Sequence, residues 1–206
     1  MNQIALPLDW PVADRDEDFL VSAANQAAFD HFRRWSLWPV MATLLTGPRK
    51  SGRSLLGRIV TRKTGGRLFD NGEDHEEEAL FHAWNEAQER RRPLIIIADA
   101  PSPVWEVALP DLRSRLAATP HVHIEQPDDA LIGNLIVSLL GQRGIVTPPE
   151  VAEYVVPRIE RSYVAVQQVV EALDRAMLSR HRRMTVPLAK SALGEAGLIR
   201  RARNQA

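Results

Sequence analysis

A short glycine-rich segment contains the residue types and spacing that can bind phosphate. It reads Gly47-Pro48-Arg49-Lys50-Ser51-Gly52-Arg53-Ser54. Two glycines separated by four residues let backbone N–H groups curl around phosphate oxygens, and the hydroxyl of Ser54 can reach Mg²⁺. Arg53 stands where such loops usually carry lysine, so the positive charge is kept on a larger, planar group. The segment predicts a nucleotide site for ADP or ATP that can also accommodate Mg²⁺.

The residues predicted to contact the nucleotide belong to this loop and to the helix after it. They are Gly47, Lys50, Ser51, Gly52, Arg53, Ser54 and Leu55. Residues 40–46 form an apolar run ending in Gly-Pro, which predicts a buried strand, and residues 54–61 predict a helix. A plain glycine-rich turn with a basic surface is the alternative interpretation. The flanking strand and helix and the Ser54 hydroxyl favour a phosphate loop.

An acidic residue follows a second predicted strand. Residues 67–69 read Arg-Leu-Phe and lead into Asp70, which can hold Mg²⁺ together with Ser54. Asn71 cannot act as a general base, so only Glu73 or Asp74 could polarise an attacking water. Fifteen residues separate Ser54 from Asp70, which leaves room for one helix and one strand. The sequence predicts nucleotide binding with little intrinsic hydrolysis.

The other elements divide the chain into an α/β part and an all-helical part. We expect a helix capped by Ser22, a helix over residues 76–91, and a strand over residues 94–98 covered on both faces. Beyond residue 127 only helices are predicted, at residues 128–140, 148–156, 162–182 and 187–196. The predicted organisation is a flexible segment over residues 1–18, a nucleotide-binding α/β domain over residues 19–127 and a helical domain over residues 128–206.

The overall composition excludes several classes of protein. The 206-residue chain has 26 basic and 26 acidic side chains, so no net charge draws it to nucleic acid or membrane. It has no cysteine, which excludes disulfides and thiolate metal sites. No apolar run approaches the roughly 20 residues that span a bilayer, and the first residues lack the features of a signal peptide. We expect a cytoplasmic protein without membrane contact.

Five strings, in this order along the chain, resemble the Hda family of DnaA-homologous AAA+ proteins. They are Gln3-Ile4-Ala5-Leu6-Pro7-Leu8, Asp18-Phe19-Leu20-Val21 followed by Asn25-Gln26-Ala27, Leu80-Phe81-His82-x-x-Asn85, Leu109-Pro110-Asp111-Leu112-Arg113-Ser114-Arg115-Leu116 and Arg158-Ile159-Glu160-Arg161-Ser162. The resemblance runs almost end to end, and the fourth string is the most specific. The family often carries arginine at the position of Arg53.

The resemblance implies a reduced AAA+ fold and assigns roles to individual residues. It implies an α/β P-loop core with a reduced parallel sheet that lacks the family's second strand, followed by a C-terminal all-helical lid. Residues 67–70 then match the Walker B strand, with Asp70 as the metal residue, and residues 98–99 match the sensor 1 position. Arg115 matches the arginine finger that points into a neighbouring subunit's nucleotide site. Arg161 matches the sensor 2 arginine, which reaches the nucleotide phosphates from the lid.

The resemblance also implies partners and a function. The first string is similar to the family's sliding-clamp-binding motif, with Gln3, Ile4, Leu6 and Leu8 as its contact residues. The expected partners are the sliding clamp (the beta subunit of DNA polymerase III) and DnaA; DNA is reached mainly through the clamp, and a homo-oligomer is an open option. The implied function is a regulatory adaptor that offers Arg115 in trans to DnaA-bound ATP, promotes its hydrolysis and so negatively regulates replication initiation.

Two alternative functions stay open at this point. The chain could be an independent AAA+ ATPase or a DNA-associated remodelling factor, which would turn over ATP without DnaA through Asp70. It could instead be a clamp-tethered protein with a relic nucleotide site, which would bind no nucleotide. Replacing Gln3 and Leu6 separates these alternatives, because only a tethered protein or an adaptor depends on the clamp-binding peptide.

Overall fold

The first part of the chain is built on a parallel β-sheet. The computed structural model describes residues 19–101, 103–180 and 183–199; the predicted clamp-binding residues 3–8 lie outside them. The four strands of the sheet are β1 (Ala42–Thr46), β2 (Arg67–Phe69), β3 (Leu94–Ile97) and β4 (His121–His123). Their order is β2-β3-β1-β4 and all three pairings are parallel. The reduced parallel sheet expected from the sequence is confirmed.

The central strands are buried because helices cover both faces of the sheet. Every residue of β1 and β3 is buried, which explains their continuous apolar sequence. The flanking helices are α1 (Gln26–Arg33), α2 (Arg53–Thr64), α3 (Glu77–Arg90) and α4 (Pro110–Ala118). Short 3₁₀ turns lie at Trp35–Leu37, Gly72–Asp74 and Val156–Arg158. Since the strands are parallel, the loops after β1, β2 and β3 all open at one edge of the sheet.

The second part of the chain is helical. Its helices are α5 (Asp129–Gln142), α6 (Pro149–Val155), α7 (Tyr163–Arg180) and α8 (Val186–Glu195). They enclose a hydrophobic cluster of their own, centred on apolar residues such as Ile136, Val151 and Leu173. Leu135 packs against both this cluster and the cluster around the sheet, so the helical part is in contact with the α/β part.

The structure corrects the predicted start of the first helix. The expected N-cap was Ser22, but α1 begins at Gln26 after the N-cap residue Asn25. The side chain of Ser22 instead accepts a hydrogen bond from the Ala24 N–H at 3.2 Å, and the Asn25 Oδ1 accepts one from the Ser22 N–H at 2.8 Å. Ser22 thus closes a turn before the helix, because a hydroxyl bonded two residues ahead competes with helical geometry.

Helices of the described ranges are all too short or too polar to cross a membrane.

Candidate functional site

The loop between β1 and α2 has a backbone that its glycines make possible. Gly47 has a φ of 151°, and a Cβ there would lie 2.9 Å from the carbonyl oxygen of Ile124. Lys50 and Gly52 both adopt left-handed conformations, with φ of 66° and 88°. Left-handed residues turn successive N–H groups toward one side of a loop, which creates an anion-binding concavity. The loop therefore has the geometry of a phosphate cradle.

Unsatisfied polar groups of this loop converge on one cavity. Ser51 is 6% exposed, and within the described residues its Oγ has no hydrogen-bond partner. Helix α2 starts directly after Gly52 without a side-chain cap, so its first N–H groups have no acceptor within the helix. A buried hydroxyl without a partner is unfavourable by about 1–3 kcal/mol. An anion at the start of α2 would satisfy both sets of donors.

The cavity lies between the P-loop and the helical lid. Its volume is about 120 Å³, and Lys50, Ser51, Gly52 and Leu55 form one wall. The opposite walls come from the segment before α1 and from α5 and α7; their residues include Phe19, Leu20, Leu131 and Tyr163. The phosphate cradle and the apolar walls match the chemistry of a nucleotide, whose base is apolar on its faces and whose phosphates are anionic. The cavity is smaller than the roughly 300 Å³ of typical ligand sites, so it would have to widen for a whole nucleotide to enter.

Phe19 and Asn25 shape the wall that faces the P-loop. The Phe19 ring lies 3.4 Å from the position that a Cβ on Gly52 would take, an ordinary van der Waals distance, so the ring packs beside this glycine. The buried Asn25 side chain donates to the carbonyl oxygen of Leu20 at 2.8 Å. It thereby fixes the segment that carries Phe19 against the loop.

Arg53 connects the P-loop helix to the end of β3. Its Nη1 donates to the carbonyl oxygen of Ala98 at 2.7 Å, and its Nη2 donates to Asp99 Oδ1 at 3.0 Å. The Arg53 side chain is only 10% exposed, whereas that of Asp99 is 75% exposed. The guanidinium therefore links two loops of the sheet edge, a role that sequence reasoning about phosphate binding did not predict.

The predicted metal residues lie at the same edge of the sheet. Ser54 belongs to the first turn of α2, and Asp70 follows β2, which β3 separates from β1. Two strand spacings separate β2 from β1, about 10 Å in total. Within the described residues no group of three or more carboxylate or imidazole side chains could hold a metal by itself. The Mg²⁺ role of Ser54 and Asp70 stays a prediction, and it needs nucleotide phosphates or water as further ligands.

The acids near Asp70 already make contacts in the protein. Glu73 Oε1 accepts a hydrogen bond from the Asp99 N–H at 2.6 Å, and the ring Nε2 of His75 lies 2.9 Å from the Asp70 carbonyl oxygen. Asn71 adopts a left-handed φ of 54°, which asparagine tolerates better than most residues. Its amide gives this edge no general base at the position directly after Asp70.

The Arg115 guanidinium lies between two aromatic rings of α3. Its Cζ is 4.2 Å from the centroid of Phe81 and 4.8 Å from that of Trp84. Among the described residues, Nη1 of Arg115 is buried without a hydrogen-bond acceptor. The Trp84 Nε1 donates to Thr119 Oγ1 at 3.1 Å, and that hydroxyl donates to the Arg115 carbonyl oxygen at 2.7 Å. Arg115 is held on the α3–α4 surface and does not line the P-loop cavity.

Glu77 fixes the start of the helix that carries Arg115. Its carboxylate accepts hydrogen bonds from the backbone N–H groups of Ala108 and Leu109, at 2.7 and 2.5 Å. The Arg113 guanidinium donates to the carbonyl oxygen of Val107 at 2.6 Å. Sequence reasoning missed this role because an acid in the first turn of α3 is already explained by the helix dipole.

Arg161 is paired within the helical part. Its guanidinium forms two hydrogen bonds of 2.8 Å with the Asp129 carboxylate, and its side chain is 69% exposed. Tyr163, two residues on, donates its hydroxyl to the carbonyl oxygen of Glu125 at 3.1 Å. Burial, and then the charge of Asp128, raise the pKa of Tyr163 to about 12. The structure thus brings Tyr163 to the cavity and leaves Arg161 in a contact on the lid surface.

Two histidines of β4 support the P-loop strand. His121 Nε2 and His123 Nδ1 each lie 2.7 Å from Thr46 Oγ1. Burial, and then the positive charge of His123, lower the pKa of His121. These contacts hold the end of β1, from which the P-loop departs.

Comparison with known proteins identifies the lid and the fold. Residues 138–193 match the family model described as the Hda lid domain. An uncharacterized protein of Haemophilus influenzae is 28% identical over 123 residues, which is 59% of this chain and 53% of the relative. The matched segment thus spans about half the length of that relative.

Several solved structures share the fold at low sequence identity. Domain III of the Thermotoga maritima replication initiation protein DnaA superposes with a TM-score of 0.73 at 15% identity, covering 90% of this chain and 96% of that one. The Thermotoga maritima RuvB Holliday junction branch migration motor gives 0.57 at 12% identity, covering 84% and 66%. The replication initiator DnaA bound to AMPPCP and single-stranded DNA gives 0.58 at 14%, covering 81% and 67%. These similarities show that the chain has the fold of DnaA domain III and of RuvB, a parallel α/β core followed by a helical region.

Proposed function

The chain is an Hda/DnaA-like AAA+ protein, and from that premise we propose that it is a regulatory adaptor that stimulates ATP hydrolysis by DnaA. In this proposal the reaction takes place at the nucleotide site of DnaA. The adaptor contributes Arg115, whose positive charge stabilises the charge that develops on the transferred phosphoryl group. The result is negative regulation of replication initiation.

The observation that carries the proposal is the environment of Arg115. A guanidinium buried against its own chain normally has acceptors for its donors, because an unsatisfied charged N–H is unfavourable. Nη1 of Arg115 is buried among the described residues without such an acceptor, while the rings of Phe81 and Trp84 hold the group by cation–π contacts. Because Nη1 is buried where it lies, a partner's phosphate oxygen could accept its hydrogen bond only after the guanidinium turns out from between the rings. The unpaired donor favours that movement, since the phosphate would supply the acceptor that the resting position lacks.

The P-loop of the chain itself is proposed to bind ADP or ATP and to hydrolyse it poorly. Its left-handed backbone, the unpartnered Ser51 hydroxyl and the uncapped start of α2 support phosphate binding. The amide of Asn71 and the engagement of Arg53 with Ala98 and Asp99 argue against efficient turnover. Nucleotide bound here would set the position of the lid relative to the core, through Tyr163 and Leu131 in the cavity wall.

The proposal also includes a tether to the sliding clamp in the cytoplasm. The contact residues Gln3, Ile4, Leu6 and Leu8 lie outside the described residues, so the tether rests on the sequence motif alone. An extended peptide with two leucines can dock into an apolar pocket of a partner. The clamp would then bring the adaptor close to DnaA on DNA.

The decisive experiment measures ATP hydrolysis by DnaA in the presence of DNA-loaded clamp, with wild-type protein and with Arg115→Ala. We expect the variant to lose the stimulation by a factor of roughly 10³ or more while it still binds the clamp. Arg158→Ala is the matched control, because the Arg158 guanidinium also lies over a ring, 4.2 Å from Tyr154, but on the lid. Unchanged stimulation by the Arg115 variant refutes the proposed role.

The two alternative functions give different results in the same system. ATP turnover by the isolated protein, abolished by Asp70→Asn, would indicate an independent ATPase. Absence of binding to both ADP and ATP, with clamp binding retained, would indicate a tether with a relic site.

A further inference from the structure

The edge of the sheet opposite the P-loop carries a dense group of basic side chains, which we call the basic edge. Its members are Arg62, Lys63, Arg67, Arg90, Arg91 and Arg92. All six are exposed, and they lie in the segments 62–67 and 86–92, which contain only two acids, Glu86 and Glu89. Within these two segments basic side chains outnumber acidic ones by four, although the whole chain has as many acidic as basic residues. The segments therefore carry a local excess of basic side chains.

The topology of the sheet brings these residues together. Strands β2 and β3 are parallel and both begin at this edge, with Arg67 opposite Leu94. Helices α2 and α3 precede these strands and therefore end there. The two connecting loops touch, since the Arg67 N–H donates to the carbonyl oxygen of Pro93 at 2.8 Å and Arg92 Nη1 donates to that of Gly65 at 3.2 Å. The six charges thus form one surface.

A cavity of about 300 Å³ opens on this surface. Arg67, Arg90 and Arg92 line it, together with Glu86. Glu86 pairs with Arg90 at 2.8 Å and with Arg67 at 3.7 Å, so one carboxylate is shared by two guanidinium groups. Three guanidinium groups and one carboxylate give the cavity lining a net positive charge, which favours an anionic ligand.

Arg91 ends helix α3 in a backbone conformation for which glycine would be the more favourable residue. Helix α2 ends on Gly65 in the left-handed conformation, which is the residue that such a position favours. Helix α3 ends in the same way on Arg91, with φ of 49° and ψ of 46°. A side chain in this conformation is less favourable than glycine by about 1 kcal/mol or more. The helix dipole is already complemented by Arg90 in the last turn.

From this surface we propose that the basic edge binds the phosphate backbone of duplex DNA. The guanidinium groups of its arginines present planar donors that match phosphate oxygens in pairs. The edge lies on the side of the sheet away from the P-loop, so DNA and nucleotide can be bound together. The binding is independent of sequence, because phosphates carry no base information. It goes beyond the adaptor function and does not depend on it.

The test measures binding of a short fluorescent DNA duplex by anisotropy over a range of salt concentrations, without clamp or DnaA. The variant carries Arg90→Gln, Arg91→Gln and Arg92→Gln. The control carries Arg33→Gln, Arg175→Gln and Lys190→Gln, which are exposed and remove the same charge elsewhere. Each lost phosphate contact lowers the slope of log affinity against log salt by about 0.9. We expect a decrease of about 2 to 3 for the variant and none for the control.

Three results would overturn the proposal. They are absence of duplex binding by the wild-type protein at low salt, equal losses in the variant and the control, and equally tight binding of polyglutamate, which would indicate an acidic protein as the partner.

Arg91→Gly provides a second test that separates binding from folding. Glycine relieves the left-handed backbone, so we expect the melting temperature to rise. The same change removes one cation, so we expect the salt slope for duplex binding to fall by about 0.9. A more stable protein with unchanged DNA affinity would show that Arg91 does not contact DNA.

Discussion

Replacing Arg53 tests whether this arginine stabilises the sheet edge as well as the nucleotide site. We consider Arg53→Met, which keeps much of the apolar stem and removes all donors. The lost contacts are the 2.7 Å hydrogen bond to Ala98 and the 3.0 Å ion pair with Asp99. Asp99→Asn removes only the charge of the second partner and is the matched control.

The hydrogen bond to Ala98 and the ion pair with Asp99 differ in burial, so we expect them to contribute differently to stability. Ala98 is 1% exposed, so loss of the Arg53 donor leaves a buried carbonyl oxygen with one partner fewer. Hydrogen bonds from charged groups contribute about 1.5–3 kcal/mol. Asp99 is 75% exposed, and exposed ion pairs contribute about 0–1 kcal/mol. We therefore expect Arg53→Met to lower the free energy of unfolding by about 2–3 kcal/mol and Asp99→Asn by less than about 1 kcal/mol.

Tryptophan fluorescence during urea unfolding measures this effect locally. Four of the five tryptophans lie in the α/β part and none lies in the lid, so the signal reports mainly the α/β part. A loss below about 1 kcal/mol for Arg53→Met, or an equal loss for Asp99→Asn, refutes the view that the buried bond to Ala98 is the dominant contact. Arg53→Lys should fall between the wild type and Arg53→Met, because one ammonium replaces the two-pronged donor.

Three further predictions concern the P-loop, the lid and helix α1. Gly47→Ala should abolish binding of fluorescent ADP because its Cβ would lie 2.9 Å from the Ile124 carbonyl oxygen, whereas Gly141→Ala, with nothing within 4 Å, should bind normally and gain about 0.5–1 kcal/mol of stability. Tyr163 keeps its proton longer in the folded state, so unfolding free energy should fall as pH rises from 10.0 toward about 12, and Tyr163→Phe should remove that fall. Burial lowers the pKa of His31, so stability should fall as pH drops below 6.5, and less steeply in His31→Gln when both are followed by urea unfolding.

The sequence was a good guide to elements whose signals are local. The apolar run before Gly47 became β1, and the continuous apolar run from Leu94 became β3, both fully buried. The Hda-type lid and the reduced sheet were also predicted, and both are confirmed. The prolines at the start of α6 and the acids at the start of α3 are helix signals that tertiary contacts did not override.

The contacts that define the site could not be predicted in the same way. Arg53 and Ala98 are 45 residues apart, and the carboxylate of Glu77 reaches Leu109 across 32 residues. Such pairs depend on the order of strands and on side-chain rotamers, which no periodicity encodes. Sequence similarity assigned Arg115 a role toward a partner, but only the packing of α3 against α4 shows the rings that hold it.

Two of the arginines predicted to face phosphates, Arg161 and Arg53, differ in the free energy that their movement would require. Arg161 is 69% exposed and paired with Asp129 on the surface, so leaving that carboxylate should require about 0–1 kcal/mol. Arg53 is 10% exposed and bound to a buried carbonyl oxygen, so its release requires the larger amount estimated above. A nucleotide in the cavity would therefore recruit Arg161 from the lid more easily than it would displace Arg53. Arg161 lies two residues before Tyr163, which lines the cavity wall. Movement of Arg161 from Asp129 to the nucleotide would therefore move the lid, while Arg53 would keep its contacts with Ala98 and Asp99. We expect the conformational response to nucleotide to lie in the lid, with Asp129→Asn altering it and Asp99→Asn leaving it unchanged.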